Sequence, residues 1–269
     1  MKQLNYLINK IINKSGINIT RSSPPKIILE YLSKLQPNIT DVIRVGGPSD
    51  GGYFIPNDLE GVTAAFSPGS NGLWNFEKEL GEVYKIKSFI LDKAHKAPLN
   101  LTNMQSFRTG LLGPVNLGEV ITLESWVNSS VNLDDNDLIL QMDIEGAEYI
   151  CLLATPDYIL ERFRIVVIEF HNLNWLYNYP YLKNCVAPVF EKMLKYFEVV
   201  YSTANNAAPT FKILGIDFPQ VIEVSFIRKN RLTSVLKQPN NNTRNLFKND
   251  PEQKIIEINW KAIDQKLDH

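Results

Sequence analysis

The chain has 269 residues, 44% hydrophobic and 21% charged, which is enough apolar material for one large core. Its formal net charge of -1 provides no field to gather a polyanion, and no lysine or arginine run or zinc-finger spacing is present, so nucleic acid is not an expected ligand. The two cysteines, Cys151 and Cys185, stand far apart in apolar surroundings and read as buried thiols in a reducing compartment. The opening MKQLNYLINKIINKSG lacks a signal peptide's continuous apolar run, and no apolar stretch reaches membrane-spanning length, so a cytoplasmic protein without a membrane span is expected.

Leu4, Leu7, Ile8, Ile11 and Ile12 recur at helical spacing and predict an amphipathic helix that docks on its own domain or on a second copy. In SSPPKIILEYLSKL, Ser23 is placed to cap a second helix, a proline fits the first turn, and Ile28, Tyr31, Leu32 and Leu35 share a face. From residue 62 short apolar strands alternate with helices, in the order that builds a largely parallel sheet. Strands are expected at VTAAFS, KSFILD, LILQMD and RIVVIEF, with a weaker one near FRTGLLG. Helices are expected at WNFEKELGEVY, AEYICLLATP and VAPVFEKMLKYF. FEVVYST and VIEVSFIRK have no clear helix between them and can pair antiparallel at one edge. A polar, Asn-rich linker follows, and then a helix capped by Asp250 with Pro251 in its first turn, whose Ile256, Trp260, Ile263 and Leu267 form a docking stripe. The expected domains are a helical segment over 1–40, an α/β domain over 41–230, and a linker with an amphipathic helix over 231–269. The two stripes outside the core make a homodimer an expectation.

Ligands of an open parallel sheet bind outside the carboxyl ends of its strands. Here the first strand ends in SPGSNG, the second in Asp92, the fourth in Asp143-Ile-Glu145-Gly146 and the fifth in Glu169-Phe-His171. Gly69 can bring backbone against a ligand where a Cβ would block it, and Asp92 follows near the roughly 20-residue spacing at which an acid accepts from ribose hydroxyls. The loop has neither G-x-G-x-x-G nor a P-loop, so a nucleoside without phosphates fits better than a dinucleotide or ATP. Asp143 ends a buried strand, where an unpaired carboxylate costs several kcal/mol. Helix capping by Glu145 and Glu148 is one reading of this block. The other is a site for a base or a divalent ion, since Glu169 and His171 share a face about 7 Å apart on the neighbouring strand. The amides and aromatics of HNLNWLYNYP and YSTANN, among them Asn172, Asn205 and Asn206, suit a polyhydroxylated ligand and equally an ordinary polar loop.

Together VIRVGGPSDGGYFIPNDLEGV, AFSPGSNGLWNFEKEL, LILQMDIEGAEY, RIVVIEFHNL and STANN resemble the FkbM-type S-adenosylmethionine-dependent methyltransferases, over about Arg44 to Asn206, with DIEGAE the most specific block. The resemblance implies a Rossmann-like class I methyltransferase fold, a mostly parallel seven-stranded sheet with a terminal antiparallel hairpin. It also implies S-adenosylmethionine as cofactor and methylation of a hydroxyl on a sugar or glycan-related acceptor. Carried over, Ser67, Gly69 and Glu77 lie around the cofactor's methionine part, Asn71 also contacts the cofactor, Asp92 holds its ribose, and Asp143, Glu145 and His171 face the transferred methyl. Asp50 to Tyr53 cover the cofactor or touch the acceptor, and Asn172, Asn205 and Asn206 are expected acceptor contacts. His171 or Asp143 is the expected base, and Asp143 with Glu169, joined by Asn205 or His171, can hold Mg²⁺ or Mn²⁺. The glycine loop, with only Gly69 and Gly72 beside Pro68, is poorer than the family's usual pattern. The rival readings are a metal-dependent glycosyltransferase, which lacks a diphosphate cradle here, and a non-catalytic scaffold.

Overall fold

The computed structural model describes residues 21–37, 41–48, 50–70, 72–97, 99–232, 250 and 252–268. The helix expected over Leu4 to Ile12 and the site residue Asn71 lie outside them. Helix α1 (Pro25–Ser33) buries Ile28, Leu29 and Leu32; its cap is Pro24, while Ser23 bonds by its main chain to Tyr177. A four-residue hairpin follows, β1 (Val42–Val45) with β2 (Tyr53–Pro56), its loop closed by two glycine pairs packed backbone to backbone. A Cβ on Gly46 would stand 2.5 Å from Gly51 O, and one on Gly52 2.6 Å from Gly47 O.

The α/β unit then runs β3 (Ala64–Pro68), α2 (Asn75–Glu82), β4 (Lys87–Asp92), β5 (Gln105–Thr109), the short pair β6 (Leu111–Leu112) and β7 (Val120–Ile121), and α3 (Leu123–Ser130). It continues through β8 (Leu138–Met142), α4 (Glu148–Ala154), α5 (Asp157–Leu160), β9 (Phe163–Phe170), α6 (Ala187–Tyr196), β10 (Phe197–Ala204), the ribbon β11 (Thr210–Ile213) with β12 (Ile216–Pro219), and β13 (Ile222–Arg228). One seven-stranded sheet has the order β10-β13-β9-β8-β3-β4-β5, parallel from β9 to β5, with β13 antiparallel to both neighbours. This large, mostly parallel sheet is consistent with a methyltransferase fold. β10 and β13 do pair at the edge, but β13 is the inner strand, wedged between β9 and β10.

Helices cover both faces of the parallel strands, so these read as unbroken apolar runs. Along β8, Leu138, Leu140 and Met142 enter one core cluster and Ile139 the other; all eight residues of β9 are buried. Helix α3, which the sequence reading omitted, is capped by Thr122, whose hydroxyl accepts from Ser125 N. The last helix, α7 (Trp260–Leu267), starts well after the expected Asp250 cap: Asn259 caps it through Ala262 N, and 254–259 hold no helical turn. Its Ile263 is fully buried, and Trp260 meets Phe218 edge-on at 6.1 Å. The C-terminal stripe thus docks on its own domain. Among the described residues no helix is long and apolar enough to cross a membrane.

Candidate functional site

The strand order reverses between β3 and β8, and the crevice at that switch is where an open sheet receives ligands. Gly69 sits there with φ +81, but its missing Cβ makes room for protein: a Cβ would lie 1.7 Å from Asp143 O. Asp143 N donates to Pro68 O across the same contact, while Gly69 N donates to Leu91 O near the end of β4. Glycine is therefore demanded by the approach of β3 to β8, and the same residue lines the crevice between them.

Past Asp143 the chain turns sharply, with Glu145 at φ 56 and Gly146 at φ 101, and the loop after β9 places Asn172 at φ 60. Non-glycine residues in this region carry strain of order 1 kcal/mol or more, and such strain collects at functional sites. Glu145 is 87% exposed, so no core packing accounts for its conformation. The turn brings Glu145 Oε2 to 3.5 Å and Asp143 Oδ1 to 3.8 Å from His171 Nε2. Ligand atoms of Asp143, Glu145 and His171 all lie within 4.8 Å of one another. Glu169, expected to share a metal with Asp143, stands beside it but accepts from the Asn205 amide, so the three-residue group keeps Asp143 and His171 of the expected set and has Glu145 in place of Glu169.

The opposite ring nitrogen of His171 is held by Glu148, with Nδ1 3.0 Å from Glu148 Oε1. Glu148 is fully buried, and the same oxygen accepts from Ile144 N at 3.1 Å and Gly146 N at 3.0 Å. Burial would lower the His171 pKa, but the hydrogen bond and charge of Glu148, then the charges of Glu169 and Asp143, push it up to about 9. Asp143 is raised by burial and next by Glu169, against the pull of His171. Burial also raises Glu169, although the Asn205 amide and His171 oppose it. The cluster thus keeps protons that isolated carboxylates would release, and positive charge brought among these acids would displace them.

A narrow cavity of about 10 Å³, room for about one water, lies between Gly51 and Tyr53 of the hairpin, Gly69, Ser70 and Leu73 after β3, Glu77 and Phe76 of α2, and Gln141 and Asp143 of β8. Glu77 is 3% exposed, one of its carboxylate oxygens has no hydrogen-bond partner among the described residues, and burial raises its pKa while the Ser67 hydroxyl opposes the rise. Burial, and after it the charges of Asp143, Glu169 and Glu223, push the Tyr53 phenol well above its ordinary pKa. Asp50 turns back on Gly51 N.

Asp92 stands at the end of β4 as expected, but its oxygens are already engaged: Ser70 N and Oγ at 2.9 Å on one, His95 N at 2.8 Å on the other. Burial alone would raise its pKa; hydrogen bonds from the His95 main chain, Ser70 and the His95 ring outweigh that and lower it. Asn206 is drawn away from the cluster, its amide binding the main chain of Asp250. Two acids were not singled out as site residues from the sequence. Glu148 was read as a helix-end charge only. Glu223 on β13 sits opposite Glu169 in register and is 4% exposed; burial raises it to about 7, against the pull of the Arg44 guanidinium on β1. An acid inside the apolar run VIEVSF was the available signal.

No curated protein matches the chain. Residues 118–207, which contribute the whole Asp143, Glu145, Glu148, Glu169, His171 and Asn205 cluster, match the family model of the methyltransferase FkbM domain, and this points to methyl transfer as the chemistry of the site.

Proposed function

We propose that the chain is an S-adenosylmethionine-dependent O-methyltransferase acting on a hydroxyl of a sugar or glycan-related acceptor. The observation that carries the reading is the acid–imidazole cluster of the FkbM-matching segment, set at the switch point of the sheet beside a cavity lined by Glu77. The residues fit such a cofactor: a buried carboxylate with an unpartnered oxygen, Glu77, suits the methionine ammonium, and the surplus of buried acids suits a sulfonium.

When bound, S-adenosylmethionine supplies an electrophilic methyl, so the protein's share is alignment, exclusion of water and removal of the acceptor's proton. Gly51 and Tyr53 line the crevice and exclude water from it. Asp92 takes the ribose hydroxyls by exchanging its bonds from Ser70. Asp143 or His171 receives the acceptor proton, and a base so placed contributes roughly 100- to 10,000-fold. Glu169, Asn205 and Asn172 at the ends of β9 and β10 offer acceptors and donors to the other hydroxyls of a polyol.

A divalent ion is the second reading, favoured by the three ligand atoms gathered from Asp143, Glu145 and His171. Two carboxylates and an imidazole suit Mn²⁺ better than Mg²⁺, which prefers all-oxygen sites. The test is transfer of labelled methyl from S-adenosylmethionine to a panel of sugars and sugar nucleotides, with and without excess chelator. Label in an acceptor ether supports the reading, and loss of transfer in chelator supports the ion. A folded protein that labels no acceptor and binds a nucleotide sugar instead would return the glycosyltransferase reading.

A further inference from the structure

The methyltransferase reading leaves the most deeply buried acid of the site without a task. Glu148 opens α4 with its side chain fully buried, and one oxygen, Oε1, takes three hydrogen bonds: from Ile144 N, Gly146 N and His171 Nδ1. Its other oxygen has no hydrogen-bond partner among the described residues. A helix-end carboxylate needs only the first turn's N–H groups and can sit at the surface, so burial of an unpartnered oxygen is a cost that capping does not explain.

The ring geometry explains it. Nδ1 of His171 faces two groups that only accept, Glu148 Oε1 at 3.0 Å and Glu169 O at 3.1 Å, so Nδ1 carries a hydrogen. In the neutral ring the lone pair is then on Nε2, the nitrogen turned toward Asp143 and Glu145. The next residue of α4 completes the grip: Tyr149 donates its hydroxyl to His171 O at 3.0 Å. The first turn of α4 thus fixes His171 by ring and by main chain, and through Ile144 and Gly146 the same oxygen fixes the turn that carries Glu145.

We propose that Glu148 is the positioning residue of this site, holding the His171 imidazole with Nδ1 as donor so that Nε2 is presented to the reacting groups between Asp143 and Glu145. The role in turnover rests on the methyltransferase reading; the effect on the ring does not. A carboxylate that orients the far side of a histidine is the arrangement used wherever one nitrogen must act as base or ligand.

The experiment is nitrogen NMR of the His171 side chain in Glu148→Leu, Glu148→Gln and Tyr149→Phe variants, at a pH where the ring is neutral, with methyl-transfer kinetics beside it. Gln keeps an oxygen that can accept from Ile144, Gly146 and His171 Nδ1, so it should keep both fold and tautomer, whereas Leu removes the acceptor. The expected result is a ring largely Nδ1-protonated in the wild type, in Tyr149→Phe and in Glu148→Gln, and redistributed toward Nε2-protonation in Glu148→Leu. With that redistribution, kcat should fall roughly tenfold or more while cofactor affinity is kept. A ring in Glu148→Leu indistinguishable from wild type overturns the proposal, as does a redistributed ring with unchanged kcat or a wild-type ring that is largely Nε2-protonated. A redistributed ring in a protein that transfers no methyl even as wild type would instead refute the methyltransferase reading and leave the positioning standing.

Discussion

Replacing Gly69 with alanine tests whether the site is built on the contact between β3 and β8. The added Cβ would lie 1.7 Å from the Asp143 carbonyl oxygen, so the strand ends must separate by about 1.3 Å to reach the 3.0 Å below which real contacts essentially do not occur. Alanine at φ +81 costs about 1–2 kcal/mol in any surroundings. Forced backbone separation in a packed region adds about 1–3 kcal/mol, for a total of about 2–5 kcal/mol. Gly47→Ala is the control: its φ is +85 and nothing among the described residues lies within 4 Å of its Cβ, so it should lose only the first increment. Urea unfolding of both variants, at equal denaturant dependence, separates the terms. A shift of this size at Asp143 should also cost transfer roughly a hundredfold. If Gly69→Ala proves no less stable than Gly47→Ala, the close approach at the switch point is refuted.

Glu145→Gly should leave stability unchanged or raise it by up to about 1 kcal/mol, since glycine relieves the left-handed strain while adding freedom to the unfolded chain, and transfer should fall. A stability loss beyond that in urea would mean the Glu145 side chain serves the fold. If His171 is the base, initial rates should climb as pH rises toward about 9, because the raised pKa leaves the ring protonated at neutral pH. The stability its protonation contributes is full below its ordinary 6.5 and is lost through the same rise. A rate profile flat from pH 7 to 10 would remove His171 from that role. The buried Glu223 carboxyl, raised to about 7, contributes stability that is full below its ordinary 4.5 and lost as pH rises through about 7. Glu223→Gln should flatten that part of the fall in urea midpoint, and an unaltered pH dependence would show that the carboxyl does not ionise in place.

The strands were legible because burial on both faces writes unbroken apolar runs, and LILQM and RIVVIEF carry that signature with no competing pattern. The inner position of β13 was not, since local pattern says that two strands pair and not which one faces the rest of the sheet. The hairpin of β1 and β2 hides in four-residue strands around a glycine loop, and the C-terminal helix was started too early because Asp250 and Pro251 satisfy the cap rule that Asn259 fulfils. At the site, strand-end chemistry located Asp143, Glu169 and His171, which do converge. What sequence could not supply was partnership: that Gly69 yields to a carbonyl, that Asp92 is held by Ser70 and His95, and that Glu148 reaches an imidazole one strand away. Each depends on a contact between segments remote in the chain.

The most direct test of the account is calorimetric titration of the full chain with S-adenosylhomocysteine, beside a Glu77→Gln variant. The account predicts micromolar binding to the wild type, weakened about tenfold or more when the buried carboxylate that meets the ligand's ammonium is neutralised. No heat of binding to well-folded wild-type protein, or equal affinity in the variant, would contradict a cofactor seated between Glu77 and Asp143.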